Sequence, residues 1–187
     1  MKIILASGSP RRRELMTEMG LEFIVDSRTS FEEIVPEGAD AYGVPALFAE
    51  GKSRGFHRPL AADEVLVTSD TVVICEGEIL GKPHTPEVAR RMLRKLSGRT
   101  HHVVSAVCVR TCRDCKVLSD TATVTFNTLP DSEIDYYIEH YSPLDKAGAY
   151  GIQEWIGLVG ITRIEGSFYT IMGLPTHLLH SLLTSLQ

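Results

Sequence analysis

The sequence predicts an α/β protein built on a mixed sheet with helices covering both faces. Three observations carry this: apolar β-type runs alternate with segments of helical period, several helical segments open on capping residues, and no repeat or low-complexity linker interrupts the alternation. A length of 187 residues suits a single domain over 1–187, divided at most into two small lobes around a cleft.

Residues 2–6 form a short apolar strand. Ser7-Gly8-Ser9-Pro10 then turns the chain into a helix, with Ser9 as N-cap and Pro10 as first helical residue. Leu15, Met16 and Met19 are its apolar stripe, and Gly20 ends it. Residues 22–27 are extended, and the acidic, turn-rich stretch 29–43 reads as a loop free to move. Residues 45–56 are expected to be helical, with Leu47, Phe48 and Phe56 available to pack and Lys52 on another face. Residues 64–74 are a strongly β run, followed by a turn at Glu76-Gly77-Glu78 and a short strand at Ile79-Leu80. Thr85-Pro86 repeats the cap-and-proline start for a helix marked by Val88, Met92, Leu93 and Leu96 and stopped at Gly98. Residues 103–109 and 117–126 form a strand pair, 131–141 a helix and 156–164 an extended segment. Leu178, Leu179, Leu182, Leu183 and Leu186 make the apolar face of a final helix.

Apolar content of 43% and charged content of 23% are ordinary for a globular chain. No run approaches the roughly eighteen apolar residues of a membrane span. The apolar start of the chain is too short for a signal peptide and runs into Arg11, Arg12 and Arg13, so a cytoplasmic location without membrane association is expected. A net charge of −5 argues against a general nucleic-acid binder and leaves room for a small anionic ligand held by local basic clusters.

Arg11, Arg12 and Arg13 stand in the first turn of a helix whose N-terminal end is already positive. With free backbone N–H groups and the hydroxyls of Ser7 and Ser9, they form a phosphate cradle; the alternative is arginines splayed into water. Asp70 lies inside the apolar run 65–74, where a carboxylate needs a metal, a bound water or neighbouring backbone to offset its desolvation. Lys82, between Gly81 and Pro83, carries one ammonium on a stiff backbone, and Lys52 alone is a helix lysine. In Asp145-Lys146-Ala147-Gly148-Ala149-Tyr150-Gly151-Ile152-Gln153, two glycines allow close backbone approach to a planar ligand, and Gln153 offers the donor and acceptor that suit a base edge. Cys108, Cys112 and Cys115 have the C-x3-C-x2-C spacing of iron–sulfur radical enzymes. Their placement on a strand and its tight turn argues instead for cysteines without a cofactor, and equally against a zinc site that includes Cys75. His101 and His102 face opposite ways on a strand, and Arg90, Arg91, Arg94 and Lys95 read as a solvated helix face.

Leu5-Ala6-Ser7-Gly8-Ser9-Pro10-Arg11-Arg12, Ser69-Asp70-Thr71-Val72-Val73, Gly81-Lys82-Pro83, Leu96-Ser97-Gly98-Arg99-Thr100-His101, the 145–153 segment, Gly166-Ser167-Phe168-Tyr169 and Gly173-Leu174-Pro175 together resemble the Maf family over essentially the whole chain. The resemblance implies a fold like that of inosine-triphosphate pyrophosphatase, an elongated mixed sheet with two lobes and a nucleotide cleft. It also implies metal-dependent release of pyrophosphate from a nucleoside triphosphate, with Asp70 as proton acceptor. Arg11, Thr71 and Gln153 match positions associated with base preference, and Ser7, Arg12, Glu33, Lys52 and Lys82 match other pocket positions. Tyr150-Gly151-Ile152-Gln153 resembles the branch acting on dTTP and UTP. Three positions depart from the family: Glu32-Glu33 replaces Asp-Glu, Glu154-Trp155 replaces a small residue, and Ser105 replaces a threonine.

These residues imply a mechanism in which Arg11, Arg12, Lys52 and Lys82 offset triphosphate charge, while Mg²⁺ or Mn²⁺ is held by Asp70 and Glu33. A nucleotide-sensing regulator of septum formation with little turnover is the rival reading, and a homodimer is expected only by analogy with the family.

Overall fold

The computed structural model describes residues 1–186, and the expected α/β architecture is present: seven strands join in one mixed sheet, accompanied by helices. The strand order is β2-β1-β3-β5-β6-β7, with β4 paired to β3 off that path; the strands are β1 (Lys2–Leu5), β2 (Phe23–Val25), β3 (Glu64–Cys75), β4 (Glu78–Leu80), β5 (Thr100–Arg110), β6 (Cys115–Phe126) and β7 (Ile161–Glu165). Two compact units are distinguished. The first comprises Met1–Thr71, Ser105–Asp120 and the chain from Gly173 onward; the second comprises Val72–Val104 and Thr121–Met172. No helix among the described residues is long and apolar enough to cross a membrane.

In the first unit, β1 runs parallel to both neighbours, Ile3 standing opposite Phe23 and Val65 and Leu5 opposite Val25 and Val67. Successive side chains of a strand point to opposite faces, so the full burial of both Ile4 and Leu5 means that both faces of β1 are covered, which is why the run is apolar without alternation. The next helix, α1 (Pro10–Glu18), starts as its sequence dictates: Ser9 Oγ accepts from the Arg12 N–H at 3.4 Å, and Gly20 leaves the helix at φ +71°. α2 (Val44–Arg54) buries Val44, Phe48, Ala49 and Ser53, but Leu47 faces solvent, contrary to expectation, because it lies off the stripe that those residues define.

The stretch after β2 has no regular structure, yet its beginning is not free. Thr29 bridges to Phe56, Ser30 N–H donates to the Gly55 carbonyl at 2.9 Å, and Thr29 Oγ1 donates to the Lys52 carbonyl at 3.2 Å. The Phe31 ring lies on α2 where Gly51 has no side chain; a Cβ there would stand 2.2 Å from the ring. Glycine inside a helix costs about 1 kcal/mol relative to alanine, and here it makes room for the aromatic ring. The last helix of the unit, α7 (Thr176–Thr184), buries Leu179, Leu182 and Leu183.

In the second unit the end of β3 pairs antiparallel with β4 through Glu76-Gly77, both at positive φ. α3 (Pro86–Leu96) opens on Thr85, whose hydroxyl accepts from the Val88 N–H at 3.3 Å. Its basic face is not merely solvated: Arg90 pairs with Asp135 at 2.6 Å and Arg94 pairs with Asp131 through two hydrogen bonds, both on α4 (Asp131–Tyr141). Leu93, Leu96, Phe126, Ile134, Tyr137 and Ile156 form the centre of this unit's core. Two 3-10 turns, Pro143–Asp145 and Ala147–Ala149, follow α4.

The segment expected to be extended over 156–164 is divided instead. α5 (Trp155–Gly160) is helical, and only then does β7 pair antiparallel with β6. Trp, Ile and Val favour strands, but Gly157 lets the chain fold back so closely that a Cβ would stand 1.8 Å from the Ile152 carbonyl oxygen. The short helix α6 (Phe168–Met172), not foreseen from sequence, leads out of the unit.

Candidate functional site

In the first unit β3 delivers Asp70 and Thr71, the start of α1 delivers Arg11 and Arg12, and α2 delivers Lys52. The Lys52 Nζ stands 2.6 Å from Asp70 Oδ1 and 2.7 Å from Glu33 Oε1, so one ammonium is shared by two carboxylates. Glu33, not its neighbour Glu32, reaches this position, on a segment anchored two residues earlier by Phe31 against Gly51. The Asp70 side chain is only 10% exposed. Burial pushes its carboxyl above the usual carboxylate range, against the opposing pull of Lys52 and Arg12. Such a carboxylate is a stronger base than an exposed one, which suits proton acceptance.

Arg12 is held at three points. Its Nε donates to the Gly173 carbonyl at 2.9 Å, Nη1 to Ser7 Oγ at 3.3 Å and Nη2 to Thr71 Oγ1 at 3.3 Å. Burial lowers its pKa, with Asp70 acting in the opposite sense. Ser7 also accepts from the Ser9 N–H at 3.2 Å, so the cradle expected at the helix start is already braced by its own side chains. Arg11 is half-buried on the same turn and Arg13 is exposed. Thr71 Oγ1 exchanges a 2.7 Å hydrogen bond with buried Ser105 and donates to the Gly173 carbonyl at 3.3 Å, which Ser69 Oγ also reaches at 3.2 Å. The Gly173 carbonyl is thus an organising acceptor, and a backbone group carries no side-chain signature by which sequence reading finds it.

Lys82 and Gln153 belong to the second unit, and both are exposed. The glycines before Gln153 serve the protein's own packing. Gly148, at φ +69°, lies where a Cβ would meet Val73 at 2.9 Å, and a Cβ on Gly151 would meet the Glu154 carboxylate at 2.7 Å. His101 is buried, with Nε2 2.8 Å from the Tyr150 hydroxyl and Nδ1 without a partner among the described residues; burial pushes the imidazole down to about 4.

Among the described residues no three His, Cys, Asp or Glu side chains gather to hold a metal. Cys112 is exposed in the β5–β6 turn. Cys115, expected in that exposed turn, instead begins β6 and lies with its sulfur 3.4 Å from that of buried Cys108, because both side chains occupy one face of the hairpin.

A family model described as Maf-like protein matches residues 2–186. The chain is 45% identical over 185 residues to the dTTP/UTP pyrophosphatase of Phocaeicola vulgatus, covering 99% of this chain and 96% of that one. It is 48% identical over 182 residues to the Porphyromonas gingivalis protein of the same name, covering 96% and 92%. A solved structure, the Staphylococcus aureus Ham1 protein, is similar at a TM-score of 0.45 and 15% identity, over 67% of this chain and 72% of that one.

Proposed function

The chain belongs to the Maf family, and from that premise we propose that it hydrolyses dTTP and UTP to the monophosphate and pyrophosphate, as a house-cleaning enzyme of the nucleotide pool. The observation that carries the reading is the Lys52 ammonium shared by Asp70 and Glu33, with Arg12 fixed beside Thr71. Relatives 45–48% identical over nearly the whole chain bear that activity as their name, which supports the choice of substrate.

The reaction needs the charge on a triphosphate offset and a water activated for attack at phosphorus. Arg11, Arg12 and Lys52 supply positive charge, and Lys82 is assigned the same role. Arg12 is preorganised for it, since three acceptors hold the guanidinium before any phosphate arrives. Buried Asp70 takes the proton of the attacking water, and Lys52 keeps that carboxylate oriented.

Mg²⁺ or Mn²⁺ fits this residue set. The Lys52 ammonium lies between two carboxylate oxygens, Asp70 Oδ1 and Glu33 Oε1, which are the hard donors a divalent cation takes. Two carboxylates without a third ligand suit an ion completed by substrate phosphates and water. Asp70 and Glu33 would hold it, and it would supply Lewis acidity and charge neutralisation at phosphate oxygens.

Gln153 is assigned to the base edge, where a carboxamide pairs with an adjacent donor and acceptor of uracil or thymine. The test is a screen of the common nucleoside triphosphates with Mg²⁺, scored for pyrophosphate. Steady release from dTTP and UTP, well ahead of dCTP, dATP and dGTP, is expected. Binding without turnover would favour a nucleotide sensor instead.

A further inference from the structure

The surroundings of the residue after Gln153 give it a use. Glu154 follows an exposed glutamine but is itself turned inward, its side chain 19% exposed. One carboxylate oxygen pairs with Lys146 Nζ at 3.2 Å, and the other accepts from the Tyr137 hydroxyl. Lys146 is also buried, and its ammonium reaches Asp145 at 3.0 Å. Tyr137 lies fully buried on α4, and its oxygen in turn accepts from the Gly151 N–H at 2.9 Å. The turn is closed by the Glu154 N–H donating to the Gly151 carbonyl at 3.0 Å. The carboxylate also fills the space a side chain on residue 151 would take.

We propose that Glu154 is a positioning residue for base discrimination: clamped between Lys146 and Tyr137, it fixes the backbone on both sides of Gln153 and so sets where that carboxamide is presented. The proposal rests on the assignment of Gln153 to the base edge. A side chain carried on an unanchored loop averages over several positions, and discrimination by a hydrogen bond is lost with small misplacements. Here the residues before and after Gln153 are tied to α4 and to Lys146 by groups buried in the same unit, whereas Gln153 itself is exposed. A half-buried carboxylate with an ammonium and a hydroxyl as partners is costly to assemble and stiff once assembled, which is the property a reading head requires.

The experiment compares kcat/KM for UTP and CTP in the unaltered enzyme, Glu154→Ala, Glu154→Gln, Tyr137→Phe, Gln153→Ala and the double variant Gln153→Ala/Glu154→Ala. Trp155 is the one tryptophan of the chain and packs on Tyr136 with ring centroids 4.8 Å apart, so acrylamide quenching of its fluorescence reports loop order without requiring turnover.

In Glu154→Ala and Tyr137→Phe the UTP/CTP ratio is expected to fall roughly five- to tenfold, part of the roughly ten- to hundredfold that a matched hydrogen bond supplies. Quenching of Trp155 should rise in both. Glu154→Gln, which still accepts from Tyr137, should recover part of the ratio. In the Gln153→Ala background, Glu154→Ala should lower the ratio no further. A folded Glu154→Ala enzyme with unchanged ratio, or with unchanged Trp155 quenching, overturns the clamp. If Gln153→Ala narrows the ratio while Glu154→Ala does not, the clamp alone fails. If Gln153→Ala leaves the ratio unaltered, base reading by Gln153 fails and the clamp falls with it.

Discussion

The stability of the second unit should depend on pH through His101. The ring is 1% exposed, hydrogen-bonded through Nε2 to Tyr150, and flanked by Phe126 and Tyr150 at centroid distances of 5.3 and 5.5 Å. Burial lowers its pKa to about 4 from the ordinary 6.5. Between those values the unfolded chain binds a proton that the folded chain refuses, so stability falls as the solution is acidified through that window. Going from near pH 7 to near pH 4.5 should cost roughly 2–3 kcal/mol from this residue alone.

Urea unfolding followed by circular dichroism measures it, in the unaltered protein and in His101→Gln. The variant loses the ordinary ring and starts less stable near pH 7, but its deficit should shrink by roughly 2–3 kcal/mol near pH 4.5. Exposed carboxylates titrate in both proteins and cancel in the difference. Two pH curves that run parallel would refute the argument, since they would show that the ring is no harder to protonate in the folded chain than in the unfolded one.

Asp70→Asn is expected to keep the fold and lose about a hundred- to ten-thousandfold in kcat, measured by pyrophosphate release; near-normal turnover in a folded variant would reject Asp70 as the base. Gln153→Ala should narrow the preference for UTP over CTP by roughly ten- to a hundredfold, read from kcat/KM for each. Gly51→Ala places a methyl group into the Phe31 ring and should lower stability by about 1–3 kcal/mol, seen as a lower thermal midpoint; an unchanged midpoint would mean the ring is not seated there. Cys112→Ser should change neither turnover nor stability, since the side chain is exposed in a turn; loss of activity together with bound iron or zinc would contradict it.

What was legible in the sequence was local. Ser9 with Pro10 and Thr85 with Pro86 announce the starts of α1 and α3, because capping chemistry lies within three residues. The buried run of β1 and the long β3 declare themselves by apolar content. What failed was decided at a distance or by the backbone. α5 is spelled in strand-favouring residues, and its helix follows from a close approach to Ile152 that only Gly157 permits. The same holds for the site: the motifs named Asp70, Lys52 and Glu33, but not that one ammonium is shared by both carboxylates. Glu154 read as a departure next to a bulky tryptophan, since its partners Tyr137 and Lys146 lie seventeen and eight positions earlier in the chain. Ser105 read as a mild replacement, while its hydroxyl in fact holds Thr71.

The Gly173 carbonyl joins the two ends of the chain, for it accepts from Arg12, a residue 161 positions earlier. During synthesis, strands β1 and β3, the helix α2 and the Asp70–Lys52 pair are all encoded by residue 75, yet the guanidinium has no such anchor until residue 173 has left the ribosome. Loop closure over such a span comes late and slowly. A nascent chain therefore carries the acid before it carries the oriented cation, and competence to turn over substrate should appear as one of the last events of folding, after most of the secondary structure is in place.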